Sequence, residues 1–321
     1  TLEVRVFETQ QKPNKYGKKI LEIKTAETKS NNNEITLPYT SLEKAAKDNI
    51  DKIKLVFDLA SIEIDPNHFE ESTKGDLSLS IKKEKNLISI GFRLGDKVLA
   101  ELNKAIKISL PYDKGIKDKN KITAMLIKEN GTKEIVGGVY DETRKTVKFL
   151  TKELGKFTIE EGTREFKDTV KYKWAEEAIE SMAVKGMIDG KSDTKFDPSA
   201  NTTRAEFAAL ISRMLKLDED LSIKLPFKDI DNDKWYYKSI LAVYKKGLIN
   251  GKSSVNFDPE GNITREEMAK IIGSILENSS YKKQNKKELD KFIDKDSVAS
   301  WSEEGAAIAV HNGIIKGTNG R

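Results

Sequence analysis

The sequence predicts an α+β chain of several domains, with an antiparallel β-rich, sandwich-like region first and an all-α run of repeats after it. Two observations predict this. Short runs of alternating apolar and polar residues fill the first half, whereas the second half repeats itself without a gap, with Phe166 and Phe227 61 residues apart at the head of matching motifs. A length of 321 residues accommodates two or three cores of ordinary size.

The alternating runs are Leu2-Glu3-Val4-Arg5-Val6, Lys52-Ile53-Lys54-Leu55-Val56-Phe57, Leu77-Ser78-Leu79-Ser80-Ile81, Ile106-Lys107-Ile108-Ser109-Leu110 and Thr146-Val147-Lys148-Phe149. Successive side chains of a strand point to opposite faces, so each run presents one buried and one solvated face, as antiparallel strands do. Glu129-Asn130-Gly131 and Gly137-Gly138-Val139-Tyr140-Asp141 are read as hairpin connections. Ile35-Thr36-Leu37-Pro38-Tyr39 and Ile108-Ser109-Leu110-Pro111-Tyr112 are read as related strand ends, which leaves open either one sandwich or two small β modules. Short helices are expected at Leu42–Lys47 and Lys97–Asn103. The boundary is placed near Glu160-Glu161-Gly162-Thr163.

In the repeats, Phe166-Lys167-Asp168 is followed by Trp174, Ile179, Gly186, Gly190, Phe196-Asp197-Pro198 and Thr203-Arg204-Ala205-Glu206. The same order returns as Phe227-Lys228-Asp229, Trp235, Ile240, Gly247, Gly251, Phe257-Asp258-Pro259 and Thr264-Arg265-Glu266-Glu267. A third copy opens at Phe292-Ile293-Asp294, continues through Trp301, Ala306, Gly313, Ile315 and Gly317, and reaches Arg321 before a Phe-x-Pro or Thr-Arg-x-Glu motif. Each copy reads as helix, loop, helix. Trp174, Ala178, Ile179, Met182 and Ala183 share one helical face, and Gly186 sits where a left-handed cap would stop the helix. Thr203 with Glu206, and Thr264 with Glu267, match the capping box that opens a second helix.

Composition narrows the function classes. Lysine and arginine number 57 against 52 acidic residues, a net charge of +5 spread along the chain. That is a mild preference for acidic partners and not a nucleic-acid footprint, because no basic stripe with interleaved aromatics is present. Cysteine is absent, which excludes disulfides and thiolate metal sites. No apolar run approaches membrane-spanning length. The chain opens at Thr1 without a signal-like segment and is read as a mature fragment. Only His68 and His311 are available for histidine chemistry, with no nucleophile elbow, phosphate loop or zinc motif, so the chain is read as non-enzymatic. Asp229, Asp231 and Asp233 begin like a calcium loop, but Ile240 stands where the bidentate glutamate is needed; they are read as turn aspartates, and no metal or other cofactor is expected.

With Phe-x-Asp, tryptophan, paired glycines, Phe-x-Pro and Thr-Arg-Ala-Glu in this order, the second half resembles the surface-layer homology family. The resemblance implies residues 163–224 and 225–288 as complete repeats, residues 289–321 as a partial third, and residues 1–162 as a β-rich extracellular domain. It implies a pseudo-threefold bundle and a secreted protein of a Gram-positive cell surface. The implied function is non-covalent attachment to a secondary cell-wall polysaccharide, often pyruvylated, with other surface-layer subunits as further partners. The groove residues it implies are Arg204 and Arg265, then Gly186, Gly247 and Gly313, then Trp174, Trp235 and Trp301. Asp168 and Asp229 are candidate sugar contacts.

The chemistry fits. An arginine in the first turn of a helix can grip a carboxylate with two parallel hydrogen bonds, and an indole offers a flat face to a sugar ring. Each group also has an ordinary structural use: core packing for the tryptophans, helix stops for the glycines, turn formation for the aspartates. Two departures are visible. Glu266 replaces the motif alanine beside Arg265, where it would compete with an anionic ligand, and the third repeat has no motif arginine. A wall-anchored polysaccharide-degrading enzyme, or a docking module in the first half, are the alternatives.

Overall fold

Apolar residues on alternate positions need a partner face, and the first half supplies it by folding into two sheets over one core. The computed structural model describes residues 6–13, 19–25, 30–68, 75–113, 115–217, 223–278 and 286–317. In order come β1 (Val6–Pro13), β2 (Lys19–Thr25), β3 (Asn32–Leu37), α1 (Tyr39–Lys47), β4 (Lys52–Val56), β5 (Ser61–Ile64), β6 (Leu77–Glu84) and β7 (Leu87–Leu94). They are followed by β8 (Lys97–Leu99), β9 (Glu101–Pro111), β10 (Ile122–Ile127), β11 (Lys133–Gly137), β12 (Val139–Asp141), β13 (Thr146–Glu153) and β14 (Gly155–Glu161). One sheet has the order β1-β2-β4-β5-β9-β13-β12; the other runs β11-β10-β14-β7-β6-β3, with β8 added on β7.

Ile53, Leu55, Ile62, Ile64 and Ile108 of the first sheet share a hydrophobic cluster with Leu77, Leu79, Ile81, Phe92 and Phe157 of the second. The four later alternating runs are strands, as their period requires; the run Leu2–Val6 lies outside the described residues except for Val6.

Several details differ from the sequence reading. One pair, β2 with β4, is parallel, because the chain between them visits the other sheet as β3 and returns through α1. Lys97–Asn103 is not helical. A bend at Ala100 separates β8 from β9, and this break in phase gives Val98, Leu99 and Leu102 a spacing that imitates a helix. Glu129-Asn130-Gly131 does lie in a hairpin connection, between β10 and β11. Gly137-Gly138 instead carries the chain from one sheet to the other, with φ of 93° and 139° that favour glycine. The two Leu-Pro-Tyr segments both end strands, but in different sheets, and the first leads into α1.

The helices are α2 (Lys173–Val184), α3 (Arg204–Leu215), α4 (Tyr237–Lys245), α5 (Arg265–Asn278) and α6 (Glu303–His311). The chain divides into two compact units, one running to Ser199 and the other taking Ala200–Arg321. The last strand ends near the boundary expected from the sequence, but α2 packs with the strands. Lys121 Nζ meets Glu180 Oε2 at 2.6 Å, Asn120 Nδ2 donates to Glu177 Oε1, and Ser181 Oγ donates to the Asn120 carbonyl. Burial lowers the pKa of Lys185 at the end of this helix.

In the second unit α3 packs with α4, and α5 with α6. The second helix of each repeat therefore pairs with the first helix of the next. These pairings establish a helical unit of paired neighbours; the pseudo-threefold arrangement stays what the resemblance implies. The α5–α6 crossing is close because Gly273 faces Gly305; a Cβ on Gly273 would lie 2.3 Å from the Gly305 Cα.

Candidate functional site

The second helices start where the sequence placed them. Thr203 Oγ1 accepts from Glu206 N–H at 3.1 Å while Thr203 N–H donates to Glu206 Oε2 at 2.9 Å. Thr264 and Glu267 repeat this at 3.1 and 3.0 Å. The arginine that follows each threonine reaches across to the next repeat.

Arg204 is the clearest departure from expectation. Its side chain is 3% exposed. Nε donates to the Phe257 carbonyl at 2.8 Å, Nη2 to the Asn250 carbonyl at 2.7 Å and Nη1 to Glu267 Oε1 at 2.9 Å. The guanidinium also lies 4.7 Å from the centre of the Phe257 ring. Arg204 thus braces the seam between the first and second repeats, and its geometry is that of an internal ion pair, not of an open anion receptor. This also explains a cation at a helix start: two carbonyls and a carboxylate offset the unfavourable dipole.

Glu267 links two duties that the sequence kept apart. One carboxylate oxygen closes its own capping box, while the other receives Arg204 and, at 2.6 Å, Lys252 Nζ. Burial alone would raise its pKa, but the Lys252 and Thr264 hydrogen bonds and the Arg204 charge together hold it below the ordinary value of 4.5. A carboxylate with a lowered folded-state pKa stabilises the fold above its unfolded pKa, and the contribution disappears as pH falls through the folded value. The stability difference between the parent and Glu267→Gln is therefore expected to shrink as pH drops below about 4.5, measured by urea unfolding at stepped pH. A difference independent of pH would contradict the ion pair.

Asp168, half-buried, and Asp229, exposed, each hold the loop of their own repeat. Asp168 accepts the backbone N–H groups of Phe196 and Asp197 at 2.9 and 2.7 Å, and the first of these bonds is the main cause of its lowered pKa. Asp229 does the same for Phe257 and Asp258. Both are loop clamps that seat the Phe-Asp-Pro plug. The carboxyls hold Asp197 and Asp258 at φ of 67° and 64°, unusual for a non-glycine residue. Asp231 takes part in a local turn with Asp233 N–H. Among the described residues no group of three or more acids or histidines is placed to hold a metal.

The tryptophans and glycines behave otherwise. Trp174, Trp235 and Trp301 are 86%, 62% and 52% exposed at the starts of α2, α4 and α6, so core packing does not account for them. Gly186, Gly247 and Gly313 end these helices at φ of 65°, 65° and 69°, as helix stops do. A Cβ on Gly247 or Gly313 would meet nothing within 4 Å, whereas one on Gly186 would lie 3.2 Å from Ile135 of β11. Tryptophan and glycine stand at opposite ends of one helix, roughly 18 Å apart at 1.5 Å per residue, so they do not make one subsite within a repeat.

Arg265 is exposed, and Nη2 donates to the Lys316 carbonyl at 3.3 Å, as Arg204 does to Asn250. The expected competition from Glu266 is reduced, because its Oε1 accepts from Ala299 N–H and Ser302 Oγ at 2.7 and 2.6 Å. A cavity of about 340 Å³ lies beside Arg265.

Comparison with known proteins finds the same two repeats in the sequence. The family model described as S-layer homology domain matches residues 165–208 and 226–269. The surface-layer 125 kDa protein of Lysinibacillus sphaericus is 34% identical over 145 residues, 45% of this chain and 12% of that protein. The S-layer protein EA1 of Bacillus anthracis is 34% identical over 158 residues, 49% of this chain and 18% of that protein. The amylopullulanase of Thermoanaerobacterium thermosulfurigenes is 33% identical over 184 residues, 57% of this chain and 10% of that protein. The chain thus spans less than a fifth of the length of these relatives. The molecule is built on S-layer homology repeats. The S-layer homology domain is thus present twice in this chain, over residues 165–208 and 226–269. No helix among the described residues is long and apolar enough to cross a membrane.

Proposed function

We propose that the chain holds a surface protein non-covalently to the cell wall by binding an anionic secondary wall polysaccharide, one that carries pyruvate-type carboxylates. The observation that carries this reading is the exposure of Trp174, Trp235 and Trp301 at the same place in each repeat. Three large indoles left in water at equivalent positions cost apolar exposure, which a stacking sugar ring would relieve. Open backbone at Gly247 and Gly313 adds room for close approach. With Arg204 enclosed, Arg265 is the accessible cation among the motif residues. Residues 1–162 are assigned as the module displayed at the wall, either a surface-layer piece or an adaptor. The relatives' names include surface-layer proteins and an amylopullulanase, so an attached hydrolase is the second reading for the protein as a whole.

Co-sedimentation with purified sacculi tests the proposal. The parent is expected to pellet with intact sacculi and to stay in solution once the secondary polysaccharide is stripped. Trp235→Ala with Trp301→Ala is expected to weaken binding by about 5- to 150-fold, the equivalent of ~1–3 kcal/mol for lost aromatic stacking. Equal pelleting on stripped sacculi would refute the anchor, and full binding by the double variant would remove the indoles from it.

A further inference from the structure

The two sheets of the β-rich unit part at one end, and the gap between them is a cleft of about 520 Å³. In the second sheet the ladder between β14 and β7 stops at Phe157 with Ile88, beside the β6–β7 turn at Lys85 and Asn86. Past Phe157, β14 pairs with β10 on one side and borders the cleft on the other. In the first sheet the β9–β13 ladder ends at Pro111 with Thr146. There the Tyr112 N–H donates to the Lys145 carbonyl at 2.8 Å, tying the β12–β13 loop to the chain that leaves β9. The floor is apolar: Leu110 and Phe157 are buried, and Leu59, Ile88, Tyr112 and Ile159 pack half-buried against the same core. The rim is basic, with Lys83 and Lys85 from the β6–β7 hairpin and Arg144 and Lys145 from the β12–β13 hairpin. Arg144 is engaged by Asp141 at 3.3 Å, and the rim carboxylate of Glu160 by Lys133 at 2.5 Å. Among the described residues Lys83, Lys85 and Lys145 have no acidic partner, unlike Lys54 and Lys107, which meet Glu22 and Glu63 at 2.8 and 2.6 Å. Lys85 and Lys145 also hold φ of 56° and 50°, a region that glycine or asparagine ordinarily fills. Two unfavourable backbone conformations are thus kept at the two sides of one cleft, a pattern typical of ligand sites.

We infer that this cleft binds an anionic saccharide, its charge carried by carboxylate or phosphate, at a site separate from the repeats. Three unpaired ammonium groups from two hairpins favour a ligand with negative charge at more than one position. The volume is that of a small-molecule site. Tyr112 and the aliphatic floor suit the apolar face of a sugar ring. Burial, with the charges of Glu161 and Glu160, raises the pKa of the Tyr112 phenol, which therefore stays a hydrogen-bond donor. The open edge of β14 at Thr158–Glu160 adds backbone donors and acceptors for hydroxyl groups. An acidic peptide would meet the same cations. Added to β14 as a strand, however, it would have only the short stretch between Phe157 and Glu161, less than an ordinary strand's length, so the cleft favours a sugar.

Calorimetric titration of the full chain with trigalacturonate and with maltotriose phosphate tests this, with maltotriose as the neutral control. Saturable binding of at least one acidic sugar is expected, weakening as salt is raised, and the tighter of the two decides between carboxylate and phosphate. Lys83→Gln with Lys85→Gln and Lys145→Gln is expected to bind about tenfold more weakly or worse. These lysines are exposed, so the triple variant is expected to keep the parent's melting temperature, checked by circular dichroism. Amide chemical shifts of the parent are expected to move at Lys85, Tyr112, Lys145 and Ile159 when the sugar is added. No binding at millimolar acidic sugar, equal binding of maltotriose, or equal binding by the triple variant would overturn the inference. Shifts confined to the repeats would overturn it too, while leaving the wall anchor standing. Hexaglutamate that binds more tightly than either sugar, and is lost in the triple variant, would assign the cleft to an acidic peptide instead.

Discussion

Arg204→Ala is expected to destabilise the helical unit by about 3–5 kcal/mol, whereas Arg265→Ala costs less than about 1 kcal/mol. The two arginines occupy the same position in their repeats and differ only in what surrounds them. Removing Arg204 leaves the Phe257 and Asn250 carbonyls without their donor and deprives Glu267 of its buried partner. Lys252 still neutralises Glu267, which keeps the loss near the lower end of the range. Arg204→Lys restores the charge but not the three-way fork, so it is expected to recover less than half of the deficit. Guanidinium unfolding of the three variants measures this directly. Equal small losses for both alanine variants would remove the brace and return Arg204 to the list of ligand contacts.

Gly273→Ala is expected to lower the melting temperature even though alanine is the better helix former by about 1 kcal/mol. The new methyl would sit 2.3 Å from the Gly305 Cα and 2.5 Å from its carbonyl oxygen, against backbone that cannot rotate away. Helices α5 and α6 would have to separate, at a cost of roughly 1–3 kcal/mol or more for overpacking, and Gly273→Val would cost more still. Thermal unfolding by circular dichroism is the measurement. A raised midpoint for the alanine variant would mean that the helices part freely and that propensity decides the outcome.

Local chemistry was the part legible in sequence. Alternation predicted strands at Lys52–Phe57 and Ile106–Leu110 because a sheet face buries every second residue, and Ile53, Leu55, Ile106 and Ile108 are buried. Thr203 and Glu206 announced a helix start because the capping box is closed within four residues. What lay hidden was set by distant partners. Arg204 finds its acceptors 46, 53 and 63 residues downstream, and nothing near it in sequence distinguishes a brace from a receptor. The parallel pairing of β2 with β4 likewise depends on which sheet β3 joins, a choice made by the whole core. The exposure of Trp174, Trp235 and Trp301 was equally unreadable, since an indole at the head of an amphipathic helix can face either way.

Sequence and packing are out of step by half a repeat, and this constrains how such an array can be cut or lengthened. A segment excised from one Phe-x-Asp motif to the next would take each helix away from the neighbour that shields it. A segment beginning at Ala200 keeps α3 with α4, and keeps Arg204 with Asn250, Phe257 and Glu267 if it continues through the start of α5. Transplantable pieces of this protein therefore begin just after one Phe-Asp-Pro loop and run past the next into the following helix, so that a graft carries its own seam into a foreign host.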